Sequence, residues 1–426
     1  MASTSNLLIL LIYFLEVVVL TWCERKLWKT LYTPLCCLML PFSLVLLVTL
    51  LLAGNGTFVA FYYPTLYYVM IGLLAFFIPS AVLGAVRAKR TSTVHNTVNR
   101  NIHETIPLSI PPMKAILAIT FVILGLYTVH SFIAMSSSSY VIGTDEFGTE
   151  YAGGGLWGHL RLLLMAITIL LIYLYDRSCR WYLLLIGLCL VIFALTQVKG
   201  WILIPIIAGL LLRLCTGKTR LKFSFVLWII LLGFAVFFIS YALTLAVGKY
   251  SPMTVSFLEI INNIFMHYLT SGILGMSMDV QLGFPEEARP EVLFAQIVNL
   301  WYFIMGEDFV SPINPLFFQS GVSGTNVRSL FGTTYLNVGM FGYIVLLMVI
   351  SSLFYGLRTV VLKKQNLFIY AIDAWLCAFL CMGWFDYYFH MLHVIEIPVF
   401  LLLLSAISRI KWRVNLPSLR GQDCDN

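Results

Sequence analysis

Five basic residues of this 426-residue chain, Arg161, Lys199, Lys249, Arg289 and Arg328, stand apart from its other Lys and Arg. Each falls at the edge of an apolar run or in the one long polar segment, where a fixed cation has to be explained. Arg161 follows His159 at the head of an apolar run, and either snorkels towards headgroups or meets a substrate. Lys199 lies in Thr196-Gln197-Val198-Lys199-Gly200, a hairpin too tight to carry a long side chain far into water. Its ammonium is then held near the interface, as a substrate contact or as a simple cap. A second group is Asp386, His390, His393 and Glu396. On one continuous helix His390, His393 and Glu396 would share about a third of the circumference. Three uses are open to them: a metal site, a general base, or polar side chains seated at an interface.

These residues need a scaffold, and composition says which. With 60% hydrophobic and 11% charged residues, a soluble protein of this size could not cover itself with polar surface. The expected class is all-α, a polytopic transmembrane helical bundle, because the runs are continuously apolar rather than alternating. At about 20 residues per crossing, about eleven spans are expected. They fall near 5–21, 34–53, 65–86, 114–134, 158–175, 181–196, 200–213, 223–244, 336–357, 367–385 and 389–407. The seventh is short and the last contains Pro398. Met1 to Asn6 has no basic stretch, so the first span reads as a retained helix. There is no repeat of fixed period, and residues 1–426 read as a single integral membrane domain.

Apart from the five cations above, every Lys and Arg lies in the connectors 22–33, 87–114, 176–180, 213–222 and 358–366 or in the tail after Ser408. The positive-inside rule makes that side cytoplasmic, with the N-terminus outside and the C-terminus cytoplasmic. The formal charge of +7 is then a topology signal and not a sign of nucleic acid. All nine cysteines lie in spans or on the inner side, which argues against a disulfide framework. Segment 245–335 becomes an extracytoplasmic loop between the eighth and ninth spans. Within it, Phe257 to Met276 has the pattern of an amphipathic helix in the interface. Val292 to Met305 is apolar but too short to span. Backbone at membrane depth must line a cavity or be buried in protein, so the loop should fold back over the bundle as a roof.

Three stretches carry a resemblance to a known family. Leu31-Tyr32-Thr33-Pro34-Leu35 opens the second span, Gln197-Val198-Lys199-Gly200 forms the tight hairpin, and Asn326-Val327-Arg328 runs on to Tyr335 and Gly339-Met340-Phe341-Gly342. Together with the span count and the late large loop, they resemble the Wzy-type oligosaccharide repeat-unit polymerases of O-antigen and capsule. Lys199 stands where Arg is commoner, a departure that weakens bidentate phosphate binding there.

The resemblance implies a GT-C-like bundle in the bacterial inner membrane. It also implies a metal-independent glycosyltransferase without cofactor. A glycan on polyprenyl diphosphate would be transferred to the non-reducing end of a new lipid-linked repeat unit, with release of polyprenyl diphosphate. Charge then grows on phosphate oxygens, for which Arg161, Lys199, Arg289 and Arg328 are the supply. A base drawn from His267, Asp279, Asp386 and His390 would take the proton of the acceptor hydroxyl. Trp301 would stack on sugar faces, and Tyr335 belongs to the same substrate-binding set. A chain-length regulator and a flippase are the implied partners. The rival readings are an O-antigen ligase or another lipid-linked-sugar glycosyltransferase, and a polysaccharide transporter or flippase. A transporter would favour intramembrane charges and inverted repeats, of which only Glu16 and Asp373 are candidates.

Overall fold

The computed structural model describes residues 4–53, 58–93, 111–137, 155–176, 180–195, 199–220, 231, 233, 235, 238, 257–283, 288–321, 324–364 and 366–409. In chain order the helices are α1 (Thr4–Trp28), α2 (Pro34–Leu52), α3 (Thr65–Thr93), α4 (Pro111–Ser137), α5 (Leu156–Leu174), α6 (Trp181–Leu195) and α7 (Lys199–Cys215). Then come α8 (Phe257–Leu282), α9 (Pro290–Leu293) and α10 (Ala295–Met305). A two-residue ribbon follows, β1 (Phe318–Gln319) with β2 (Gly324–Thr325), paired antiparallel. Last are α11 (Leu330–Lys364), α12 (Leu367–Cys381), a 3-10 turn at Tyr388–His390, and α13 (His393–Arg409).

Among the described residues, five helices are long and apolar enough to cross a membrane: Thr4–Trp28, Pro34–Leu52, Thr65–Lys89, Leu156–Leu174 and Leu330–Lys364. Shorter apolar helices run at Ile116–His130, Trp181–Ala194, Gly200–Cys215, Ala295–Met305, Leu367–Cys381 and His393–Ser408. Such helices are those of a membrane protein. The expected span at 223–244 lies outside the described residues except for 231, 233, 235 and 238, which are helical. Every other expected span overlaps a helix, the last only from His393 onward.

The chain divides into two compact units. The first comprises Met1–Arg100, Val255–Lys364 and Leu376–Val394; the second comprises Asn101–Thr254, Gln365–Trp375 and Ile395–Asn426.

In the first unit α1 shows how one sequence serves two neighbours. Ile9, Tyr13, Val17 and Leu20 are buried, at spacings of three and four, while Leu7, Leu8, Leu11 and Leu15 are exposed. The buried stripe faces α2 and α3, and the opposite stripe is as apolar, as a lipid-facing surface must be. Thr33 caps α2, its hydroxyl accepting from the Cys36 amide at 3.3 Å, and Pro34 fills the first position. α3 and α11 run side by side in one direction: Tyr343 Oη donates to the Tyr68 carbonyl, and Ser351 Oγ to that of Phe76, at the same sequence offset. α11 is too long to be one straight crossing, and it is not straight. Gly339 has φ 65 and ψ −178, a conformation that L side chains rarely adopt. It separates a short, largely buried first piece, Leu330 to Val338, from the longer piece that runs to Lys364.

In the second unit α5 packs on α6 and α7. Arg213 of α7 closes the C-terminal end of α5, its Nη1 donating to the carbonyls of Ile172, Tyr173 and Tyr175 at 3.0, 3.2 and 2.6 Å. A cation there satisfies carbonyls that have no helical partner and complements the helix dipole.

Candidate functional site

The site assembles in the first unit from α8, the start of α11 and the turn after α12. The helix expected to lie at an interface over Phe257 to Met276 runs on to Leu282, and its second half is interior. Thr270, Ser271, Ile273, Leu274, Met276, Ser277 and Asp279 are all buried. Two glycines make this possible. A Cβ on Gly272 would stand 2.1 Å from the Phe385 carbonyl oxygen, and one on Gly275 would stand 2.3 Å from that of Val327. With no side chain at either place, α8 lies against backbone on one face. The Ser329 amide then donates to the Gly272 carbonyl at 2.8 Å, and the Leu330 amide to that of Gly383 at 2.7 Å.

This knot seats Arg328 against Asp279. Nε donates to Oδ2 at 2.8 Å and Nη2 to Oδ1 at 3.3 Å, a two-pronged pair in which both side chains are 1% exposed. Nη1 donates to the Leu316 and Asn326 carbonyls at 2.9 and 2.8 Å, and the guanidinium lies 4.2 Å over the Phe318 ring. Burial raises the Asp279 carboxyl above its ordinary range, and the guanidinium pulls against that shift. The resemblance assigns Arg328 to the leaving diphosphate. In the structure it is engaged with protein groups, and it pins the loop that precedes α11.

Next to the pair is Asp386. The Thr333 hydroxyl reaches both the Arg328 carbonyl, at 3.2 Å, and Asp386 Oδ1, at 3.4 Å. The Tyr387 amide donates to the same Oδ1 at 2.7 Å. Asp386 keeps part of its surface open, yet desolvation by the surrounding protein pushes its carboxyl up to about 7, against those donors and the charge of Arg328. A desolvated carboxyl raised into this range, on a half-buried residue, is suited to general-base work.

The other expected bases lie elsewhere in the unit. His267 Nδ1 is 2.7 Å from Ser320 Oγ, beside the ribbon, and burial lowers its basicity. His390 ends the 3-10 turn, with its ring 5.8 Å from that of Tyr387, and burial lowers it to about 4. The continuous helix expected through His390, His393 and Glu396 does not form. Met391 is extended, at φ −92 and ψ 139, so His390 is off the face that α13 carries from His393.

The expected substrate-binding residues divide between the units. Arg289 precedes α9 and is partly exposed, with its Nε 3.3 Å from Glu291 Oε1. Trp301 lies on α10, 58% exposed among other exposed apolar residues. Tyr335, on the first piece of α11, meets the Tyr68 and Tyr343 rings edge-on at 4.8 and 5.8 Å. Arg161, in the second unit, is buried with its guanidinium 4.0 Å over the Trp201 ring. Lys199 is the first residue of α7.

Sequence reasoning missed Thr333 and a second buried acid, Glu24. Glu24 accepts from Ser80 Oγ and, at 2.8 Å, from Tyr355 Oη; the Trp28 indole N–H donates to Ser80 at 2.9 Å. Nothing in the pattern around Glu24, which reads as part of a charged connector, marks it as interior. Thr333 was legible only as one hydroxyl of a short polar run before the ninth span.

A search of curated proteins and a search of solved structures each find no match. A family model described as "Family of unknown function (DUF6337)" matches residues 56–414, and the chain belongs to that family.

Proposed function

We propose that this chain is a repeat-unit polymerase. It joins polyprenyl-diphosphate-linked oligosaccharides into a surface polysaccharide of the O-antigen or capsule type. In this reading it is a GT-C-like bundle of about eleven spans in a bacterial inner membrane. The N-terminus is outside, the C-terminus cytoplasmic, and the α8–α11 region faces away from the cytoplasm. The observation that carries the reading is Asp386, a half-buried residue whose desolvated carboxyl is raised to about 7 near the Arg328–Asp279 pair.

The chemistry follows from those groups. A hydroxyl of the acceptor sugar attacks the anomeric carbon of the donor glycan. The bond from that carbon to the diphosphate oxygen breaks, and the electron pair leaves with polyprenyl diphosphate. Asp386, ionised, takes the hydroxyl proton, while Thr333 and the Tyr387 amide hold the carboxyl in place. Arg328 contributes as a fixed positive charge that keeps the site from collecting protons. Arg289, with its partial exposure, is the cation of this unit that can meet the leaving diphosphate. Much of the acceleration would come from aligning two lipid-held substrates.

The test is genetic and chemical. Deleting the gene should remove long glycan ladders and leave polyprenyl diphosphate carrying one repeat unit. Wild-type ladders in the deletion strain, or polymer that is made but not attached to its final acceptor, would contradict the reading; the second outcome would point to a ligase.

A further inference from the structure

The first unit has an open cleft of about 350 Å³ that the proposed chemistry leaves unused. Tyr62, Tyr67, Tyr68 and Ile71 line one side, and Val280 and Met340 line the other. Among the described residues no charged side chain lines it, a lining that does not suit a diphosphate. It is nonetheless held to the site by short links. Val280 follows Asp279 on α8, and Ser277 on the same helix accepts the Tyr62 amide at 2.8 Å. Tyr68 is in edge contact with Tyr335, and its carbonyl accepts from Tyr343 at 2.7 Å. Tyr62 and Tyr67 remain 38% and 47% exposed although aromatic side chains of this size gain by burial.

We propose that this cleft is a saccharide subsite that seats a pyranose ring of the acceptor repeat unit. A pyranose has an apolar face of C–H groups and an edge of hydroxyls. A cleft with an aliphatic floor at Ile71, Val280 and Met340 and a tyrosine wall offers both surfaces, ring faces to stack on and phenol hydroxyls to bond to. Its volume is in the range of small-molecule sites. Asp386 removes a proton, and a group that does so needs its acceptor hydroxyl held still. A cleft tied through α8 and the first piece of α11 to the elements that carry Asp279 and Thr333 supplies that hold without competing for the diphosphate. This subsite rests on the polymerase reading for its role.

The experiment uses the full chain in lipid nanodiscs and, as probe, the lipid-free repeat-unit oligosaccharide released by mild acid from wild-type lipid-linked glycan. Binding is read by saturation-transfer NMR. Tyr67 is open enough that replacing it leaves the fold in place. Wild type and Tyr67→Trp should bind the oligosaccharide, with transfer concentrated on the ring C–H protons. Tyr67→Leu, which keeps an apolar surface but no ring, should bind roughly tenfold more weakly. Equal binding by Tyr67→Leu overturns the subsite. So does weaker binding of polyprenyl monophosphate, rather than of the oligosaccharide, by Tyr67→Leu, which would make the cleft a seat for the lipid chain. Asp386→Asn separates the two readings, since it should stop transfer while binding the oligosaccharide as wild type does. Polymer that depends on Asp386 with no binding in the cleft would sink the subsite alone. Binding that depends on Tyr67, with no polymer made by wild type from lipid-linked repeat units, would sink the polymerase reading and leave a saccharide site.

Discussion

Two buried acids near opposite ends of α11 serve different purposes. Glu24 is fully enclosed and takes hydroxyl donors from α3 and α11, Ser80 and Tyr355, while Tyr355 also accepts the Leu35 amide of α2 at 3.1 Å. Arg358, in the same neighbourhood, donates to the Tyr32 carbonyl at 2.7 Å and lies 4.1 Å over the Tyr32 ring. Four helices and the turn between α1 and α2 are drawn together there. At the other end Asp279 meets Arg328 directly, and what is tied down is a loop rather than a helix. Beside it stands a further acid, the half-buried Asp386. Both regions are polar and interior. What separates architecture from chemistry is whether every acid is closed off, or one is left poised and reachable.

The comparison breaks most sharply at Arg328. Arg328→Ala leaves Asp279 as an uncompensated buried charge, which should destabilise the protein by about 3–5 kcal/mol and abolish long glycan. Thermal unfolding in detergent and glycan ladders check the two effects. The apolar pair Asp279→Leu with Arg328→Met should recover much of the stability, because it leaves no charge unpaired. Recovery of polymer as well would make this pair as architectural as the Glu24 network.

Glu24→Ala strands the hydroxyls of Ser80 and Tyr355, each once bonded to the carboxylate, and should cost roughly 1–3 kcal/mol. Chain extension per folded molecule should be unchanged. A fall in turnover without a fall in stability would move Glu24 into the working machinery. Glu24→Gln, which keeps an acceptor and the shape, should fall within about 1 kcal/mol of wild type.

Asp386 adds a pH signature that the Glu24 end lacks. As the base it must be ionised, so chain extension should rise with pH through about 7 and level off above. Its folded-state carboxyl is raised from the ordinary 3.8, so the folded protein holds this proton where the unfolded chain has lost it. Folding stability should therefore fall as pH climbs from about 4 to about 7 and be flat beyond, as far as this group decides it. Asp386→Asn should remove both trends, and calorimetry with rate measurements across that window would show it.

How much of this was legible follows from what a one-dimensional pattern can carry. Continuous apolar runs gave the helices, and Pro34 marked where α2 begins, because desolvation and a missing N–H act locally. Charge along the chain located the loop and singled out Arg328 and Asp279, but not that they pair across nearly fifty residues. That choice is made by Gly272 and Gly275, whose lack of side chains lets α8 reach the Val327 and Phe385 carbonyls. The pattern of α8 shows a helix but not that its second half is covered by protein, because amphipathic spacing says that one face is apolar and not what covers the other. Glu24 was lost for a like reason. A charge at the end of a span looks like a connector until hydroxyls from two other helices close over it.

The most direct test of the central claim is turnover by the purified chain in nanodiscs, given only lipid-linked repeat units. The account predicts glycan of increasing length with one polyprenyl diphosphate released per linkage. It also predicts a rate roughly 10²–10⁴ lower for Asp386→Asn with no loss of thermal stability. Absence of polymer and of released polyprenyl diphosphate from well-folded wild-type protein, or equal turnover by Asp386→Asn, would contradict it.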